Sequence, residues 1–171
     1  MNTPQTVKSQ LGLWQGALGG MMDECDEVAL HKTLPQSTVT SIASIYAHAI
    51  FSEDFITQGM LQGKPPIYKT DGWEAKTGVP MAATPEMNRE WAATVKMNLQ
   101  AFREYAKAVH AATNTYLDSV SDADLQAKAQ TPIGEQTKEW VVANLLGTHL
   151  PQHAGEIAAL KGVQGMKGLP F

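Results

Sequence analysis

His149 and His153 stand four residues apart near the end of the chain, in the run His149-Leu-Pro-Gln-His153. On a helix, at about 100° per residue, Val142, Leu146, His149, His153, Ile157 and Leu160 share one side, with Glu156 at its edge. Both histidines then lie in the middle of an apolar stripe and face the core. Side chains at this spacing have Cβ atoms about 5–6 Å apart, so two imidazoles can meet one ion at metal–nitrogen distances near 2.1 Å. Ordinary hydrogen bonds can also satisfy a buried histidine. Two desolvated imidazoles facing each other in a core, however, require a ligand or a partner.

His48 supplies a third donor. It falls on the inward half of an earlier helix, with Ser44 one turn before it and Ser52 one turn after. These small hydroxyl residues leave space and could orient ligands from behind. Helix bundles build metal sites from side chains on facing helices, and three protein ligands leave one position open for water or substrate. The expected metal set is therefore His48, His149 and His153. Glu156 is the one catalytic candidate, as a ligand-orienting group or a base, with a solvated or salt-bridged carboxylate as the plainer reading. His110 falls beside a core stripe and His31 in an irregular segment, and both read as structural. Pro151, between the paired histidines, cannot donate to the carbonyl of Gly147, so the helix is expected to kink or restart there.

Four amphipathic segments must position these residues, and no convincing strand alternation is present. The first begins at Thr3-Pro4, a cap followed by a first-turn proline, and carries Leu11, Trp14, Leu18, Met21 or Met22 and Cys25 on one face. Gly12, Gly16 and Gly19 lie on another side, where either a neighbouring helix approaches closely or a weak helix is tolerated. The second runs from Ser37 to Gly59. A long loop, Gly63 to Thr84, follows; its Tyr68 and Trp73 either close over a pocket or pin the loop to the bundle. The third starts at Thr84-Pro85-Glu86 and continues through Met87, Trp91, Val95, Asn98, Phe102, Tyr105 and Val109 to Tyr116, with Asn98 and Tyr105 facing inward. After a turn at Thr131-Pro132-Ile133-Gly134, the fourth runs from Thr137 to Lys161. The fold expected is all-α, an up-down four-helix bundle forming one domain over residues 1–171.

The 171 residues suffice for a core without staples, and 43% hydrophobic with 18% charged is ordinary for a globular chain. A net charge of −4 without a basic stripe argues against nucleic acid. No apolar run approaches the roughly 20 residues that cross a bilayer, and the N-terminus lacks the regions of a signal peptide. The single cysteine, Cys25, cannot form an internal disulfide, reads as a small buried hydrophobe, and points to a reducing, cytoplasmic setting.

Taken together, His48, the run His149 to His153, the following Ala154-Gly155-Glu156-Ile157 and the Gly168-Leu169-Pro170 tail resemble the DinB/YfiT-like superfamily of metal-binding bundles. The resemblance covers most of the chain by layout, but only the fourth helix and tail by motif. It implies a DinB-like bundle, often a homodimer, with a zinc or nickel ion on three histidines. Relatives include transferases and an isomerase that use low-molecular-weight thiols such as bacillithiol or mycothiol. The leading expectation is thus an enzyme in which the ion activates a small thiol. A hydrolase using metal-bound water needs the same ligands, and a non-enzymatic dimeric bundle with a structural or incidental ion is the third reading.

Overall fold

The computed structural model describes residues 2–35, 37–81 and 88–171. Four long helical units form the bundle: α1 (Thr3–Asp23), α3 (Ile42–Asp54), α7 (Leu99–Ser119) and α10 (Gly147–Val163). Short helices join them: α2 (Glu27–His31), α4 (Ile67–Thr70), α5 (Trp73–Thr77), α6 (Arg89–Thr94), α8 (Asp122–Gln126) and α9 (Lys138–Val141). α1 and α3 each pack against both α7 and α10, so these two successive long helices stand on opposite corners. The all-α expectation holds. The core runs through all four long helices, with Leu11, Leu18, Ile42, Ile45, Phe102, Val109, Leu150 and Ile157 essentially shielded from solvent. Among the described residues no helix is long and apolar enough to cross a membrane.

Several boundaries differ from those the sequence suggested. α1 is capped by Asn2, whose side chain accepts from the backbone of Gln5, while the Gln5 side chain accepts from Asn2 in return. That reciprocal box outcompetes the simpler Thr3 cap and leaves Pro4 inside the first turn. α3 starts at Ile42 rather than Ser37, because Ser41 caps it by accepting from the backbone of Ser44. Beyond Asp54 it continues as a π-helical turn, Phe55–Met60.

The start expected for the third helix, Thr84-Pro85-Glu86, lies outside the described residues. Further on, that helix is two pieces. Val95–Asn98 is irregular, and Asn98 caps α7 by accepting from the backbone of Ala101. Asn98 is therefore exposed, not facing inward, since a capping side chain must curl back over its own helix end.

One small sheet is present where no strand was expected. β1 (Lys128–Thr131) and β2 (Gly134–Thr137) form an antiparallel hairpin around the foreseen turn. Each strand has four residues, too few for alternation to register. The loop after α3 holds α4 and α5 and is tied down rather than free. The Asp54 carboxylate accepts from the backbone N–H groups of Ile67 and Tyr68 at 3.1 and 3.0 Å, capping α4 from the bundle. The Tyr68 hydroxyl donates to the carbonyl of Val79 and accepts from Thr77. Tyr68 and Trp73 both pack on Tyr105, so of the two roles open to them, pinning is the one adopted.

Candidate metal centre

α3 and α10 bring three imidazoles together. The ring centroids of His48 lie 5.1 Å from His149 and 4.8 Å from His153, and the paired histidines are 4.5 Å apart. One nitrogen from each ring falls within 4.8 Å of the others. Among the described residues this is the one group of three or more histidine, cysteine or acidic side chains arranged to hold an ion.

The helical spacing keeps its meaning because α10 does not break at Pro151. A π-helical turn, Val142–Leu146, directly precedes α10, and its closing bond runs from Gly147 N–H back to the carbonyl of Val142. The wide turn sits just before the missing proline donor, so the backbone is already off the regular register there and recovers it by the histidines. Pro151 itself is half-buried, and His149 and His153 remain one turn apart on the face toward α3.

The electrostatics are compatible with a cation as the fourth party. Burial lowers His48 to about 4, with the neighbouring His153 adding to the effect. His149 is lowered to about 3, by burial first and then by His153 and His48. Both rings are neutral at pH 7, and neutral imidazole is the form that ligates a metal. Their other polar partners are few. His48 Nε2 lies 3.5 Å from the Ser52 hydroxyl, at the limit of a hydrogen bond, and His149 Nε2 lies 3.1 Å from His153 Nε2.

The Nε2 separation also fits an ion. Two nitrogens each near 2.1 Å from a tetrahedral centre stand about 3.4 Å apart, so a few tenths of an ångström of adjustment suffices. Three imidazoles suit zinc, nickel, copper or iron by donor type.

The remaining candidates sort clearly. Glu156 accepts from His153 Nδ1 at 2.7 Å and is nearly half exposed, so it is a hydrogen-bonded carboxylate beside the site. Ser52 reaches His48. Ser44 does not serve the site: its hydroxyl donates to the carbonyl of Ser41 and closes the α3 cap. Tyr105 is fully buried but donates to Asp54, away from the histidines. His110 donates to Glu53 at 3.0 Å. His31 lies in α2 rather than an irregular segment, and its Nε2 accepts from the backbone of Met97. Cys25 is buried, and burial pushes its thiol up, as expected of a packing residue.

What the sequence missed is the acidic pair Glu53 and Asp54, both about 1% exposed and hydrogen-bonded throughout. Two adjacent acids inside an apolar helix were the available signal, since carboxylates are rarely buried without partners.

The sequence model described as the DinB superfamily matches residues 15–157. Among curated proteins no sequence matches. The chain is similar in fold to a crystal structure described as the conserved protein of a locus from Enterococcus faecalis. The TM-score is 0.79 at 20% identity, with 96% of this chain and 99% of that one covered.

Proposed function

The chain belongs to the DinB superfamily, and on that premise we propose that it is a metal-dependent enzyme acting through a small thiol, of the thiol S-transferase type. The observation that carries the proposal is the set of three inward imidazoles from α3 and α10, two of them held neutral by burial. In this reading His48, His149 and His153 hold zinc or nickel and leave one position open. A divalent ion bound there supplies the charge that converts a thiol to its thiolate at neutral pH. The protein's own part is to keep the three lone pairs available, to hold the rings by packing and hydrogen bonds, and to exclude competing water with the surrounding apolar side chains. Glu156 is engaged by His153 Nδ1, which draws it from the role of general base and favours a thiol over the hydrolytic reading. The same proposal takes residues 1–171 as one domain and a second copy of the chain as its partner.

The test is metal content and thiol binding on protein purified without a metal-affinity tag. Wild type incubated with nickel should retain about one ion per chain, and His149→Ala should lose it with its helicity intact. A small thiol added to the nickel form should produce a sulfur-to-metal absorption band that saturates. An empty wild type overturns the metal reading; a loaded protein blind to thiols overturns the transferase reading and leaves the site.

A further inference from the structure

We infer that Glu156 decides which nitrogen of His153 faces the site. A carboxylate can only accept, so the 2.7 Å contact places a proton on His153 Nδ1. In a neutral ring that leaves Nε2 with a bare lone pair, aimed at His149. The two Nε2 atoms are 3.1 Å apart, so that lone pair faces the space shared with His149.

The two histidines of α10 are therefore not equivalent. His153 already presents a lone pair, and its tautomer is fixed from behind.

Glu156 is a positioning residue, acting only through His153. It sits one turn beyond His153 on the same helix, with its side chain 43% exposed, so its place is set by helical spacing and not by the core. Replacing it should spare the fold while releasing the ring. Carboxylates that hold a ligating histidine in this way commonly change metal affinity 10–100-fold when removed, by orienting the ring and raising its basicity.

The part concerning affinity rests on the metal site proposed above, whereas the tautomers can be read without any metal. The experiment is long-range proton–nitrogen correlation on nitrogen-15-labelled, metal-free protein at about pH 8, for wild type, Glu156→Gln and Glu156→Ala. Wild type should show His153 protonated on Nδ1, before and after zinc is added. Glu156→Gln, whose amide oxygen still accepts, should keep the His153 tautomer. Glu156→Ala should lose it and bind zinc about 10–100-fold more weakly by chelator competition, with unchanged far-ultraviolet circular dichroism. A wild-type His153 protonated on Nε2, or on both nitrogens, overturns the inference, as does Glu156→Ala with its tautomer and affinity unchanged. If wild type takes up no zinc yet shows the stated His153 tautomer, the metal site fails and the positioning role of Glu156 stands.

Discussion

α3 carries two polar regions little more than one turn apart, one fully buried and one partly buried, and they are opposites. At Glu53 and Asp54 every carboxylate is answered. Asp54 takes the Tyr105 hydroxyl and two backbone N–H groups, and Glu53 takes Gln15 and His110. At His48, His149 and His153 three rings share a long contact to Ser52, one bond to Glu156 and one bond among themselves. Burying a polar group is tolerable only with partners, so the first region is complete as it stands and the second has donor capacity left over. Asp54 braces the fold by fastening the α4–α5 loop to the bundle and Glu53 by tying α1 to α7, while the histidines remain free to take a ligand.

The largest expected effect breaks the first region and spares the second. Asp54→Ala leaves two buried donors and one part-buried donor without an acceptor, at about 1–3 kcal/mol for each buried one, so chemical denaturation should show a loss of about 3 kcal/mol. Folded protein of that variant should still bind one ion. Loss of metal with unchanged stability would reverse the roles assigned to the two regions.

Acid should act on them in opposite senses. The folded-state values of His48 and His149, about 4 and about 3, lie below the usual imidazole value of about 6.5. The unfolded chain therefore takes up protons first as pH falls below about 6.5. Each ring then withdraws stability, by at most about 1.4 kcal/mol per pH unit, until its own folded value is reached. Asp54 is raised, by burial before any other cause, so its contribution is greatest in acid and is lost as pH rises through the folded value. Urea midpoints of metal-free protein between pH 7 and 4 should fall, and His149→Ala should flatten that slope. An unchanged slope would mean that these rings are not buried neutral.

A smaller effect sharpens the bracing role. Tyr68→Phe removes the hydroxyl between Thr77 and Val79 and should cost about 1–2 kcal/mol in thermal or urea unfolding, with metal affinity unmoved. The smallest concerns neither region. A Cβ at Gly16 meets nothing within 4 Å, so Gly16→Ala should stabilise α1 by about 1 kcal/mol or less. If it instead dissociates a dimer seen by sedimentation, the glycines of α1 form the close contact between copies.

The sequence by itself determined the bundle and the three histidines, because both follow from periodicity. Apolar residues every three or four positions make a helix bury one face, and His149 and His153 had to share that face with Leu146 and Ile157. Cys25 is buried as the α1 stripe suggested, although it stands two residues beyond the end of that helix. Local competition between caps was less legible: Asn2 over Thr3, Ser41 over Ser37 and Asn98 within an apparent single helix each depended on which side chain reached a free N–H first.

Only the tertiary structure decided the rest. Ser44 and Ser52 look alike in sequence, yet one closes a cap and the other reaches His48. Tyr105 faces inward as its spacing requires, but the group it meets, Asp54, comes from a different helix. Pro151 is tolerated because the preceding π-helical turn takes up the register. Spacing along one helix fixes the direction in which a side chain points. What it meets there is set by the neighbouring helices, and in this chain that difference separates a brace from a binding site.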